Sequence, residues 1–320
     1  MKQVLVLGSE GYLGSVLVPH LNKLNYKIVG VDICLFEKNN KNSKNVKIIK
    51  KDYSKLKRNF FKKFDYIIDL INISNDPASE IDQNFTKKIN YHDKTLMHKK
   101  IQNLKNIKLY IYMSSCSVYG FNKKIINEKT LPRPISLYSK LCLKYEKYLK
   151  KHSMIDYTIL RLGTLYGWSK RMRYDIAINK IIRDMVFNKK VEVLGGGQLR
   201  FFCYNKFACK IIEKVLKEKV KFINKVLNIG IFNTNIINLT KKIINITKLK
   251  NINLVHEKYN IDNRSYEVSL TSVKKIFKNF NFEKYVKNSI IDTFKAIKKD
   301  RSPFNRKKVT LNIYKDYLNK

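Results

Sequence analysis

Tyr138 stands near the start of the run SLYSKLCLKYEKYL, Ser136 to Leu149. A phenol at a helix start becomes a usable base when a lysine follows one turn later, because the cation favours the phenolate. One turn after Tyr138 is Cys142, whose side chain is short and ordinarily neutral. Lys140 and Lys144 begin about 200° and about 240° round the helix from Tyr138, so neither has a good line to its hydroxyl. Three outcomes stay open from these residues: a lysine supplied from elsewhere, a slow enzyme, or a site that binds without turnover.

A second group of residues could hold phosphate. VLVLGSEGYLG places Gly8, Gly11 and Gly14, with Tyr12 and Leu13 between the last two, where a strand gives way to a helix. Glycines there allow a tight turn and let backbone amides approach a pyrophosphate at the helix N-terminus. The spacing is GxxGxxG, and glycines alone are a weak signal. Their context adds an acid, Asp32, eighteen residues past Gly14 at the end of the next strand. A carboxylate at that place accepts hydrogen bonds from a ribose diol and repels a 2′-phosphate, which favours NAD over NADP. Asp52, at the end of the third strand, reads equally as an adenine contact or a solvated loop carboxylate.

Positioning these groups requires alternating strands and helices. Strands are expected at Lys2–Leu7, Lys27–Asp32, Val46–Lys50, Tyr66–Ile71, Lys108–Met113 and Tyr157–Leu162, with one more, Val226–Gly230, returning to the same sheet. Helical patterns fill the intervals, including residues 82–104 and the stretch from Tyr138. Glu37–Lys47 reads as a solvated loop. The pattern predicts an α/β protein, a Rossmann-type doubly wound parallel sheet over residues 1–168, with a smaller region over 169–320. From about residue 232 onward the chain reads as helical and basic, ending in a tail around RSPFNRKK.

The 320 residues are 44% hydrophobic, enough for a large core. No apolar run approaches the ~20 residues of a membrane span. The N-terminal residues enter a strand at once and reach glycines and a glutamate too soon for a secretory signal, so a cytosolic compartment is expected. The five cysteines, Cys34, Cys116, Cys142, Cys203 and Cys209, form no CxxC pair, which argues against zinc or a disulfide framework. The net charge of +41 comes mainly from lysine, with ten arginines among 66 basic residues. Asn and Ile are also abundant, as an AT-rich coding sequence favours, and the lysines are scattered rather than striped. The charge therefore reads as compositional, with a general attraction for anions and no specific nucleic-acid partner.

The glycines, Asp32, SSCSVYG (Ser114 to Gly120) and Tyr138 together resemble the extended short-chain dehydrogenases, and within them the NAD-dependent epimerase/dehydratase family. ISNDP (Ile73 to Pro77), KINY (Lys88 to Tyr91), LRLGTLYG (Leu160 to Gly167) and RSYEVS (Arg264 to Ser269) agree, and the resemblance covers nearly the whole chain. It implies hydride removal from a sugar carbon of a nucleotide sugar onto bound NAD, with the later 169–320 region binding the substrate. By motif match, Tyr138 would be the base beside the cofactor, and Ser115 the hydroxyl that bonds the reacting oxygen. Thr164 would face the substrate, and Arg200 and Arg264 would grip its diphosphate, unless either is an ordinary surface charge. Asn90 matches an asparagine behind the site, or is a surface or capping amide.

Several positions depart from the family pattern. Cys142 replaces the lysine, Ile71 and Asn72 stand where two alanines are frequent, and YNKFA (Tyr204 to Ala208) lacks an acidic pair. Cys116 and Ser117 occupy the places of the Asp-Glu pair that a dehydratase needs for eliminating water. That leaves an epimerase in first place, with a reductase as the alternative enzyme and a non-catalytic NAD-, nucleotide-sugar- or RNA-binding protein as the alternative class. Cys116 reads as a packed thiol, and Tyr119 as either pocket lining or packing. A homodimer through the 82–104 and 138–151 helices is expected by analogy with the family.

Overall fold

The computed structural model describes residues 1–257 and 265–319. Its strands are β1 (Gln3–Leu7), β2 (Lys27–Asp32), β3 (Val46–Lys50), β4 (Tyr66–Asp69), β5 (Leu109–Ser115) and β6 (Tyr157–Leu162). They continue with β7 (Thr164–Tyr166), β8 (Lys190–Leu194), β9 (Leu199–Tyr204), β10 (Lys225–Ile229), β11 (Phe232–Asn235) and β12 (Asn253–Glu257). Seven of them form one sheet in the order β10-β6-β5-β4-β1-β2-β3. Every pairing in it is parallel.

The apolar runs explain why this sheet is buried on both faces. Side chains alternate across a strand. Val4 and Val6 of β1 therefore join the core on one side, and Leu5 and Leu7 join the core on the other. Ile111 and Tyr110 divide in the same way on β5. Each such apolar side chain contributes about 1.5–3 kcal/mol on burial. A parallel sheet covered on both faces reads as continuous apolar sequence, not as an alternating pattern.

The strand order sets the place of the cleft. From β1 the chain builds outward through β2 and β3, then returns to lay β4 on the other side of β1. The turns that leave β1 and β4 diverge there, opening a crevice at the strands' carboxyl ends. The helix Leu137–His152 packs on one face, with Cys142, Tyr145, Glu146 and Leu149 buried. Ser136 caps it by accepting from the Ser139 N–H. Glu146 holds it to the sheet, accepting from Arg161 Nε at 2.9 Å and from the Ser114 hydroxyl at 2.6 Å.

The C-terminal region is less uniformly helical than its sequence suggests. β11 pairs antiparallel with β9, which pairs parallel with β7, and β12 pairs parallel with β8. These short strands depend on distant partners, so no local pattern marks them. The tail does not end loosely at RSPFNRKK. It continues into the helix Thr310–Leu318, whose Leu311 and Tyr314 pack against Phe36 and Ile73. Among the described residues no helix is long and apolar enough to cross a membrane, and no cluster of side chains is suited to a metal ion.

Candidate active site

Backbone geometry at the first turn demands glycine. Gly8 has φ +79°, and a Cβ on Gly14 would lie 2.3 Å from the Gly8 carbonyl oxygen. The helix Gly14–Lys23 begins with no side-chain cap and no acid in its first turn. The Ser15, Val16 and Leu17 N–H groups bond back to the Gly11 and Leu13 carbonyls, so the Gly14 N–H and the positive end of the helix dipole are left for an anion. Tyr12 turns its side chain away, donating from its hydroxyl to the Gly167 carbonyl at 2.5 Å and accepting from Asn179 Nδ2 at 3.0 Å. Only its backbone remains for a ligand.

Asp32 is anchored by the loops it joins. Its oxygens accept from the Glu10 N–H at 3.0 Å and the Cys34 N–H at 2.7 Å. Burial raises its pKa, opposed by those two backbone donors. Each oxygen keeps a further lone pair for a diol. Glu10, unmarked by any motif, is fully buried and accepts from the N–H groups of Asn39 and Asn40. It ties to the glycine turn a loop that had read as solvated. Asp52 caps the turn Tyr53–Lys55, accepting from the N–H and hydroxyl of Ser54, and does not line the cleft.

At the other end of the cleft, β5 delivers Ser115 and the helix start delivers Tyr138. Ser115 Oγ accepts from the Ser117 N–H at 3.1 Å. Ser115 and Tyr138 line the same cavity, and Cys142 packs with Tyr138 in one buried cluster. Burial pushes the Tyr138 phenol well above its ordinary pKa, and the neighbouring Cys142 pushes in the same direction. Cys142 itself is pushed up to about 12, chiefly by burial, so it is a neutral thiol.

The lysines flanking Cys142 do not substitute for it. Lys140 is exposed, and Lys144 lies over the Tyr91 ring at 4.2 Å from its centroid. Lys94 is fully buried behind this layer and its field reaches Cys142, but its ammonium is held by both oxygens of Asp69, at 2.7 and 2.6 Å.

Thr164 and Arg200 line the same cavity of about 510 Å³ as Ser115, Tyr138 and the glycine turn. Arg264 lies outside the described residues. Asn90 is neither a surface nor a capping amide. Its side chain brackets Ile73, accepting from the N–H at 2.8 Å and donating to the carbonyl at 3.2 Å, and so fixes the segment after β4. Asn72 lines the cavity with its buried Oδ1 unpartnered among the described residues. Tyr119 packs against Asn228 and Arg161, away from the cavity, and the Cys116 thiol donates to the Arg161 carbonyl.

One cluster was not anticipated. Asn75, in the SNDP turn, has φ +96°, a conformation costly for any residue but glycine. It donates to Asp175 at 3.2 Å, and the Arg173 guanidinium forks onto the same carboxylate. Burial alone would raise the Asp175 carboxyl, yet Arg173 outweighs it and holds the carboxyl below its ordinary value. The Thr310 hydroxyl reaches the same group from the C-terminal helix at 3.4 Å. The sequence signals for this cluster were ISNDP and the charged residues at every second position, Arg171, Arg173 and Asp175, with nothing to join them across the chain.

Comparison with known proteins follows the same lines. The model of the NAD dependent epimerase/dehydratase family matches residues 4–230. An uncharacterized UDP-glucose epimerase, YtcB, of Bacillus subtilis is 28% identical over 71% of this chain and 76% of its own length. A putative UDP-glucose 4-epimerase of Methanocaldococcus jannaschii is 30% identical over 71% of this chain and 76% of its own. Among solved structures, a UDP-N-acetylglucosamine 4-epimerase from Methanobrevibacter ruminantium, in complex with UDP-N-acetylmuramic acid, superposes with a TM-score of 0.81. It is 24% identical, with 92% of this chain and 97% of that one covered. A UDP-glucuronic acid 4-epimerase from Bacillus cereus, solved with UDP-glucuronic acid and NAD, gives a TM-score of 0.76 at 21% identity, covering 93% and 99%. These structural likenesses show a shared fold.

Proposed function

The chain belongs to the NAD dependent epimerase/dehydratase family, and from that premise we propose that it is an NAD-dependent epimerase of nucleotide sugars. The observation that carries this reading is one cleft joining an uncapped helix N-terminus behind a glycine turn to the side chains of Ser115 and Tyr138. The residues present fit the cofactor. Gly8, Gly11 and Gly14 line the cavity, Asp32 keeps acceptor capacity for a ribose diol, and Asn72 offers a buried oxygen without a partner among the described residues.

Bound NAD would supply a hydride acceptor and donor. The chain does the rest. Gly8, Gly11 and Gly14, with the backbone of Tyr12 and Leu13, hold phosphate. Asp32 orients the adenosine ribose. Ser115 donates a hydrogen bond to the sugar's reacting oxygen, and Tyr138 takes that oxygen's proton as the carbon is oxidised, then returns it. Arg200 and Arg264 bind the nucleotide diphosphate, and Thr164 faces the sugar. With Cys116 buried in hydrogen bonds and no acid at Ser117, the site lacks the acid–base pair for eliminating water, which supports epimerisation over dehydration. A cytosolic homodimer, pairing the helices Asp93–Ile101 and Leu137–His152 across copies, goes with this reading; Leu96 on the first of them is 55% exposed.

A second reading has its own observation. The neutral, buried Cys142 leaves Tyr138 without an adjacent ammonium, which favours a binding protein with little turnover. One experiment separates the two. The purified protein is assayed for bound NAD, then incubated with UDP-, dTDP-, GDP- and CDP-sugars, and products are identified by NMR. An inverted sugar supports the epimerase. Bound NAD with no product from any sugar supports the binding protein, and absence of NAD binding defeats the epimerase.

A further inference from the structure

Arg171 belongs to the segment between β7 and the helix Ala177–Phe187. It is 5% exposed and lines the same cavity as the glycine turn. Its guanidinium lies over the Phe36 ring, 3.8 Å from the centroid. Its Nη2 donates to the Thr310 hydroxyl at 2.9 Å, and its Nη1 makes a long contact of 3.5 Å to the Met172 carbonyl. Its Nε is buried with no partner among the described residues. Of the two carboxylates whose fields reach it, Asp175 is taken up by the Arg173 fork and Asp32 by the N–H groups of Glu10 and Cys34.

A guanidinium buried beside a second guanidinium, with no carboxylate bonded to it, is an expensive state for a folded protein. Burial, and then the field of Arg173, push Arg171 down to about 10. The cost is relieved if an anion enters the cleft and meets the open edge of the fork. A planar guanidinium is suited to phosphate oxygens. Phe36 and Thr310 set its orientation in advance. Phe36 is itself held edge-on by Tyr314 at 5.7 Å, so the C-terminal helix supports the whole arrangement.

We propose that Arg171, clamped between Phe36 and Thr310, is an anchoring residue for the dinucleotide's pyrophosphate, acting from a second wall of the cleft beside the glycine turn. This rests on the NAD reading above and adds a ligand contact from the C-terminal half of the chain. Arg171→Met is compared with wild type by calorimetric titration with NAD, ADP-ribose, adenosine and NADP, alongside melting of the ligand-free proteins. NAD and ADP-ribose bind the variant about 30-fold more weakly or worse, adenosine binds it unchanged, and its ligand-free melting temperature does not fall. Thr310→Val, which keeps the charge but frees the fork, gives a smaller loss of the same kind.

If wild type binds no NAD, the functional reading fails and this inference with it. If wild type binds NAD and Arg171→Met binds it equally well, this inference alone is overturned. A preference for NADP that disappears in Arg171→Met overturns it too, by moving the contact to a 2′-phosphate. A large fall in ligand-free melting temperature, with equal losses for adenosine and NAD, overturns it in favour of a structural role.

Discussion

Cys142→Lys tests the electrostatics of the proposed base directly. Tyr138 now packs beside a neutral thiol, and burial holds its phenol well above the ordinary value. An ammonium one helical turn away, about 5 Å from the phenolate in a medium of effective dielectric constant ~20, is worth about 3 kcal/mol, or about two pH units. Part of that is lost because the new lysine is itself buried, and because the Lys94 field already reaches this position. The expected net shift is about one to two units. A cation favours the charged form of the base, so the rising limb of the rate profile moves to lower pH. Below that limb the rate follows the phenolate fraction, so kcat at pH 7 rises about 10- to 100-fold. The assay measures sugar inversion by NMR in the NAD-loaded enzyme between pH 6 and pH 10, with Cys142→Met as the uncharged control of greater bulk. A folded, NAD-loaded Cys142→Lys protein whose profile overlays that of wild type would refute the reasoning.

Other substitutions probe separate parts of the structure. Tyr138→Phe keeps NAD binding within about twofold by titration but lowers turnover by at least ~100-fold, the range for loss of a general base. Glu146→Ala leaves the Arg161 guanidinium buried without its carboxylate, and urea denaturation should show a loss of about 3–5 kcal/mol. His98 is buried between Tyr110 and Tyr148, and burial lowers it to about 4, against about 6.5 in an unfolded chain. Below pH 6.5 the unfolded chain gains a proton that the fold refuses. Stability therefore falls by about 1.4 kcal/mol per pH unit down to about pH 4, with no such loss above pH 6.5. Urea midpoints at pH 7, 6 and 5 should show this slope in wild type and a flatter one in His98→Gln; equal slopes would remove His98 from the account.

What could be read from the sequence was local in origin. β2, β3 and β6 fall where Lys27–Asp32, Val46–Lys50 and Tyr157–Leu162 had been expected, because a strand buried on both faces writes its pattern in consecutive residues. The glycine turn and Tyr138 were visible for a related reason: each is fixed by its position at an element's end. Other features depended on partners far along the chain. Lys94 falls inside the helical pattern over 82–104, and nothing nearby announces that Asp69 holds it in the core. β11 and β12 exist through pairing with β9 and β8. Arg171 gained its surroundings only when Phe36 and Thr310 arrived from opposite ends of the molecule.

The position of β10 has a consequence for synthesis on the ribosome. β6 carries six consecutive buried residues, and its outer partner is β10, whose backbone pairing runs from Lys225↔Thr158 to Ile229↔Leu162. Until those later residues emerge, some sixty positions downstream, the nascent chain presents an apolar strand with unpaired amides and carbonyls. At ~5–20 residues per second that interval lasts several seconds. Such an edge invites pairing with neighbouring chains. A fragment ending near residue 168 should therefore aggregate during expression, and the full chain should draw on chaperones before β10 closes the sheet.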